Sequence, residues 1–297
     1  EGDTLAPPLN PKTGRRLSGT EILSLRELDG FDHFFNDVAE GAKLMGIGDL
    51  TITTEAGVGQ FEVTMTHGPA LHIADNVILL KELIKGTARN HGMAATFMAK
   101  PFSDESGNGL HTHFSVINQA GENIFCSQDK LQSAVAGCLE AFEASTLFFA
   151  PYVNSFERFV AGAHAPTSAT WGYENRTAAI RIPAGNPSAR RIEHRVAGGD
   201  VNPYLMLAAI LGAALDGIEN EMEPASPIVG NAYAVDGLPQ IAEDWETAID
   251  ALEQSTIVPR FLHPELIKNL ISTKRQELHY LGELSDSEKI ELYLDTV

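Results

Sequence analysis

Three short segments alternate so regularly that they can only be read as strands. Side chains two apart share one face of an extended chain. On that spacing QFEVT carries Gln60, Glu62 and Thr64 on one face, HTHFS carries His111, His113 and Ser115, and RRIEHRV carries Arg191, Glu193 and Arg195. Thr112, Phe114 and Val116 point the other way from the histidines, and Ile192, His194 and Val196 the other way from the arginines. The pattern predicts a sheet whose apolar face packs on helices and whose other face is a charged, solvated surface of Glu, His and Arg. For any one strand an ordinary solvated face, with Arg-x-Glu-x-Arg as a salt-bridge ladder, is the competing explanation.

The rest of the chain supplies the helices. Residues 1–23 hold Pro and Gly without periodicity and read as an arm. A helical pattern runs from Ser24 to about Met45, then strands DLTITTE and QFEVTM flank the glycines of AGVG. ADNVILLKELIKGTARNHG places Val77, Leu80, Ile84 and Ala88 on one helical stripe. AATFMAK and GLHTHFSVI read as strands, Leu131 to Phe149 as helix, and RTAAIRIP and ARRIEHRVA as two strands joined by AGNPS. After Asn202 come helices to about Met222, near Trp245 to Gln254, and from Pro264 to Leu284. Paired strands with helices in blocks predict an α+β fold with a largely antiparallel sheet.

Charge and composition exclude several roles. With 40 acidic against 21 basic residues, a net charge of −19, the chain would be repelled by nucleic acid and by anionic membrane. Cys126 and Cys138 form neither a disulfide framework nor a zinc pattern, which favours a reducing compartment. The longest apolar run, Leu205 to Leu215, is too short to span a bilayer. A soluble cytoplasmic protein that has lost an N-terminal portion is the expectation.

Against that acidic background six of the 21 basic residues, Arg158, Arg176, Arg181, Arg190, Arg191 and Arg195, fall within one stretch. Concentrated guanidinium forks suit phosphate and carboxylate. Glu residues on two segments, with a His, are hard-cation donors suited to Mg2+ or Mn2+. Together they point to phosphoryl transfer.

Four ordered segments, EAGVGQFE, KPFSDESGNGLHTHFS, NRTAAIRIP and ARRIEHRVAGGDVNPYL, closely resemble the signature segments of the glutamine synthetase catalytic domain. The resemblance covers the chain from about Phe31 to the end and implies a curved antiparallel sheet flanked by helices, of the guanidino kinase-like superfamily, over residues 24–297. It implies ATP-dependent amide formation between the γ-carboxylate of glutamate and an amine, through γ-glutamyl phosphate. By the same resemblance Glu55 and Glu62 match ligands of one metal, and His111 and Glu193 ligands of another, with two or three Mg2+ or Mn2+ per site. Ser106 and Gly107 fall where glutamate binds, although Asn is usual at the first. Arg158, Arg176 and Arg195 match groups that hold the glutamate carboxylates and the transferring phosphate. His113, Ser115, Arg176, Arg181 and Arg191 match the nucleotide site. A structural role is expected for His91, His194 and Tyr173.

Two departures bear on activity. An upstream Glu-x-Glu strand, one Glu for each metal, and a small N-terminal β-grasp domain, which covers a neighbour's active site in a ring-shaped hexamer or dodecamer, are absent from this chain. Little activity is therefore expected of it alone. Secondly, in RFVAGAHAPTSATWGYENRT the residue six beyond Arg158 is His164, where ammonia-using members carry a flap Glu. A neutral imidazole can accept a proton but, once charged, repels an incoming cation. Segments EAGVGQFEV, ATFMAKP and WGYENRT resemble most the branch that glutamylates polyamines such as putrescine, so an organic amine is the expected acceptor, with His164 beside it or else simply facing solvent. Alternatives are a glutamine synthetase using ammonia, a non-catalytic structural or regulatory homologue, and a phosphagen-type kinase, the last disfavoured because neither Cys lies in the motifs. Tyr233 aligns with a tyrosine that some bacterial members adenylylate, a position that packing alone also explains.

Overall fold

A computed structural model describes residues 5–19, 21–163 and 165–297. His164, the flap residue singled out above, lies outside the described residues. The chain divides into two units, residues 1–97 with 102–106 and residues 98–101 with 107–297.

In the first unit the helical pattern after Ser24 resolves into α1 (Leu25–Gly30) and α2 (Asp32–Leu44). Ser24 caps α1 by accepting from the Glu27 N–H at 3.2 Å. The single helix expected here breaks at Phe31, whose backbone leaves helical geometry. Its ring turns inward to meet Phe61 edge-on, with centroids 5.2 Å apart. β1 (Leu50–Thr54) and β2 (Phe61–Met65) form the expected antiparallel hairpin. Its apolar face packs with Phe34, Phe35 and Val38 of α2 and with Leu80 and Ala88 of α3 (Ala70–Asn90). Leu80 and Ala88 of the predicted stripe are buried and Val77 and Ile84 half-buried. His91 ends this helix with Nε2 2.7 Å from Asp37 Oδ2 and its ring edge-on to Phe34, the structural role expected of it.

The second unit holds a four-stranded sheet in the order β3 (Thr112–Phe114), β6 (Ile192–His194), β5 (Ile180–Ile182), β4 (Trp171–Tyr173). β3–β6 and β5–β6 are antiparallel, whereas β4 runs parallel to β5. Parallel neighbours usually need a crossover of a dozen residues or more. Here residues 174–179 suffice, so the link doubles straight back with no helix in it. Asn175, Ala178 and Ala179 are buried in the link and Arg176 is exposed. AATFMAK, expected as a strand, is not one. Its backbone is satisfied elsewhere: Asn108 N–H donates to Ala99 O at 2.7 Å, and the Asn154 amide accepts from Lys100 N–H and donates to Lys100 O at 2.9 and 2.8 Å.

Helices cover one side of this sheet and contribute the apolar core. They are α4 (Gln128–Glu140), α5 (Phe142–Phe149), the short α6 (Val153–Phe156), α7 (Pro203–Glu219), α8 (Trp245–Glu253), α9 (Pro264–Leu281) and α10 (Asp286–Thr296). Phe142, Leu147, Ile210, Ile249 and Leu252 are fully buried among them. His194 faces this core, stacked on Phe142 at 5.1 Å with Phe149 beside it, and burial holds its pKa down to about 3. It is thus a neutral core residue, as expected. α10 was not foreseen; it opens on a capping box in which Ser285 and Glu288 satisfy each other's backbone N–H groups.

Candidate active site

The strand register of the second unit sets out the site. His113 on β3 lies opposite Glu193 on β6, and Glu193 lies opposite Arg181 on β5, so the three form one row across the sheet. Glu193 is only 2% exposed. Arg195 donates to its Oε1 at 2.7 Å and Arg181 to its Oε2 at 2.8 Å. His111 Nδ1 and His113 Nε2 stand 3.5 and 3.8 Å from Oε1. Burial alone would raise the Glu193 carboxyl, but the guanidinium groups of Arg195 and Arg181 hold it below the usual glutamate value. The solvated surface expected from alternation holds for Glu62, Thr64, His111, His113 and Ser115, which are exposed, and is corrected at Glu193 and Arg195, which at 2% and 3% exposure are buried. Alternation separates the two faces of a strand but does not tell which is covered. This is a desolvated charge cluster, where each contact counts for more than in water.

Desolvation beside the buried cluster, with Arg195 nearby, shifts His111 down to about 3 against the pull of Glu193, although its side chain keeps 35% exposure. It is therefore neutral and offers a lone pair beside an ionised carboxylate. Such a nitrogen and oxygen pair fits one side of a divalent-cation shell that water and phosphate oxygens complete. Among the described residues no group of three or more His, Cys, Asp and Glu side chains is gathered to hold a metal ion unaided. His113 is also shifted down, by burial, and accepts from Arg191 Nε at 3.2 Å on Nδ1. Ser115 is exposed one residue beyond β3.

The remaining arginines differ in what they have left to offer. Arg158 is 3% exposed, donates to Val196 O at 3.0 Å and is lowered to about 10 by burial, although Asp200 opposes that shift. Gly107 lies flush against it: a Cβ there would stand 2.4 Å from Arg158 Cγ and 3.0 Å from Ala99 O. Arg190 spends its guanidinium on the carbonyls of Phe125 and Cys126, at 3.3 Å each, and is structural. Arg176 has no protein partner among the described residues and opens into a cleft of about 410 Å³ lined by Tyr173, Glu174, Asn175, Pro227, Ile228, Val229 and Gly230. Tyr173, for which only a packing role was expected, is half exposed there, and Gln128 donates to its hydroxyl.

In the first unit Glu62 is exposed on β2 opposite Thr53 and accepts from the Thr64 hydroxyl at 3.0 Å. Glu55 follows β1 directly, its N–H donating to Gln60 O at 2.9 Å across the turn. Ser106 is half-buried at the end of that unit, next in sequence to Gly107.

Sequence reasoning missed two residues, Asn175 and Asp200, and gave Tyr233 no part in holding the flap. Asn175, 9% exposed, ties the Arg176 link in place. Asp200 is buried and acts on Arg158. The Tyr233 hydroxyl donates to Ala165 O at 2.8 Å, next to the flap position. Asn175 has a Thr two residues on and Asp200 follows two glycines, which are local turn signals, but the distant partner of each is set only by the tertiary fold.

The second unit thus joins a mixed sheet, a buried carboxylate paired to two arginines with two imidazoles beside it, and a separate cleft lined by Arg176. The chain belongs to the glutamine synthetase family, whose catalytic domain matches residues 1–293. It is 39% identical over 241 residues to gamma-glutamylputrescine synthetase PuuA of Escherichia coli (strain K12), covering 79% of this chain and 51% of that protein. It is 37% identical to a glutamine synthetase of Pyrococcus abyssi, over 84% of this chain and 59% of the relative. A glutamate–isopropylamine ligase of a Pseudomonas species is 32% identical over 82% and 55% of the two chains. The solved structure of a GmaS/ADP complex superposes with a TM-score of 0.83 at 30% identity, covering 92% of this chain and 66% of that one. The α+β fold expected from the sequence is thereby found. The chain spans about half the length of the curated relatives it matches. Among the described residues no helix is long and apolar enough to cross a membrane.

Proposed function

We propose that the protein carrying this chain is an ATP-dependent carboxylate–amine ligase that joins the γ-carboxylate of glutamate to an organic amine. The observation that carries the proposal is the buried Glu193 cluster, with the unpartnered Arg176 lining a cleft of the same unit, in a chain of this family. In the first step the γ-phosphoryl group of ATP passes to the glutamate γ-carboxylate, releasing ADP. In the second the amine nitrogen attacks the acyl carbon, phosphate leaves and the nitrogen loses a proton.

Arg158 and Arg195, held rigid by burial, orient the carboxylates of glutamate, with Gly107 flush against Arg158; Ser106 is proposed as a further glutamate-binding residue. Arg176 faces the transferring phosphate. His113, Ser115, Arg181 and Arg191 lie along the nucleotide. His111 and Glu193 would hold one divalent cation, and Glu55 and Glu62 contribute to another; Mg2+ or Mn2+ neutralises charge on phosphate oxygens when bound. Fixed guanidinium donors in a desolvated site stabilise the charge that develops during transfer. His164 is proposed to lie beside the acceptor. Three relatives bear on acceptor choice: two are named for putrescine and isopropylamine, and one is a glutamine synthetase. A ring-shaped homo-oligomer, as the family implies, would complete the site.

The test is phosphate release by the native full-length polypeptide containing this sequence, supplied with ATP and glutamate, comparing ammonium with putrescine, ethanolamine, isopropylamine and longer polyamines. Turnover is expected with an organic amine at a kcat/KM at least tenfold above that for ammonium. A preference for ammonium would establish the ammonia-using alternative, and no turnover with any acceptor would overturn the ligase proposal.

A further inference from the structure

We infer that Asn175 is a positioning residue for Arg176, acting by fastening the link between β4 and β5 to the segment 225–232. Arg176 is exposed and has no protein partner among the described residues, so nothing in its own side chain fixes where its guanidinium points. Its two sequence neighbours are fixed instead. Asn175 donates from Nδ2 to Ile228 O at 3.0 Å and to Gly230 O at 2.9 Å. Its Oδ1 accepts from Thr177 N–H at 3.0 Å and from the Thr177 hydroxyl at 2.7 Å. Thr177 Oγ1 in turn accepts from Ala232 N–H at 2.9 Å. One amide side chain thus has both hydrogens and its oxygen engaged, which is close to its full capacity.

The segment that receives these bonds is itself tied to the sheet. Trp171 Nε1 donates to Ala225 O at 2.7 Å and Ile228 N–H donates to Trp171 O at 2.8 Å. Gly172 admits the approach, since a Cβ there would lie 2.6 Å from Ile228 O. Two residues before Arg176, Glu174 takes a left-handed backbone (φ 51°) and its carboxylate accepts from Arg181 at 3.1 Å and from Ala184 N–H. The backbone is therefore held by Asn175 before Arg176 and by Thr177 after it, and the freedom that remains is in the side chain of a residue lining the cleft with Pro227 to Gly230. A guanidinium held in this way contributes to anion binding without first being ordered, which is the advantage of preorganisation.

This inference rests on the ligase proposal only for what Arg176 touches. The test is a double-mutant cycle in the full-length protein with Asn175→Ala, Arg176→Ala and both together, read as MgATP affinity by calorimetry and as kcat. Thr177→Val serves as a second, nearly isosteric entry to the same network, and thermal unfolding checks that each variant is folded. Asn175→Ala is expected to weaken MgATP and lower kcat about tenfold, leave the KM for the amine within twofold, and change neither quantity more than twofold once Arg176 is Ala. Thr177→Val is expected to reproduce the effect at roughly threefold. Equal losses from Asn175→Ala with and without Arg176, or no loss at all, would overturn positioning while leaving the ligase proposal standing. Coupled loss of MgATP affinity in a protein that turns over no amine would uphold positioning and overturn the ligase proposal. A wild-type protein that binds no MgATP would overturn both.

Discussion

The Tyr233 hydroxyl donates to the carbonyl of Ala165 at 2.8 Å, across 68 residues of sequence. The same stretch of chain is held further on by Ala169 N–H donating to Pro239 O at 2.8 Å and by a bridge between Ser168 and Gln240. The leg of the loop after position 164 is therefore anchored, while Val160 at the other leg is exposed. Removing the hydroxyl with Tyr233→Phe costs about 1 kcal/mol locally. Hydrogen exchange resolved to peptides should show faster exchange in residues 160–168 and unchanged exchange in α7. Equal protection in the variant would show that the bond does not hold the loop.

Gly107→Ala puts a methyl group into Arg158 and Ala99. Neither neighbour has room to give way, because Arg158 is buried and the Ala99 carbonyl already accepts from Asn108. The expected cost is about 1–3 kcal/mol of stability, with at least a tenfold rise in KM for glutamate as Arg158 is displaced. Thermal unfolding and glutamate titrations on the same sample check both.

Glu193→Gln leaves two guanidinium groups facing a neutral amide in a site closed to water. Breaking a buried ion pair from one side costs about 3 kcal/mol or more. If His111 and Glu193 hold a cation, wild-type protein gains thermal stability on adding Mg2+ or Mn2+ and loses it again with a chelator, and the variant responds much less. A metal response of equal size in both proteins would remove Glu193 from the ligand set.

Cys138 is buried and its thiol is pushed up to about 12, whereas Cys126 is exposed. At pH 8 iodoacetamide should label Cys126 in the native protein and reach Cys138 only after unfolding. The sign for stability follows from the raised value. Between about pH 9 and pH 12 the unfolded chain gives up a proton that the folded chain keeps, so stability is full below pH 9 and falls as pH rises. The slope contributed is up to about 1.4 kcal/mol per pH unit, and a Cys138→Ala protein should lack it.

Much of this arrangement was legible in residue patterns. The hairpin of β1 and β2, the stripe of α3 and the pairing of β5 with β6 follow from periods of 2 and 3.6 that local chemistry imposes. The grouping of His113 with Glu193 was foreshadowed by the polar faces of their strands, since strands that pair bring such faces together, whereas no face was read for Arg181. What local pattern could not supply was depth. Glu193 reads as a surface ladder residue until the sheet's neighbours are known, and AATFMAK reads as a strand until Asn154 and Asn108 take its backbone groups. The parallel entry of β4 was hidden for a related reason: WGY is three residues long and its ladder depends on a link too short to suggest one.

That link is the part of the chain with least slack. Six residues carry the polypeptide from the end of β4 back to the start of β5 while both ends are pinned by their ladder. A chain of this length cannot absorb an extra residue by bulging outward, as the exposed turn at Asn118–Glu122 could. An inserted residue here would have to break the ladder or the bonds of Asn175, and Arg176 therefore keeps a fixed address between two pinned strands.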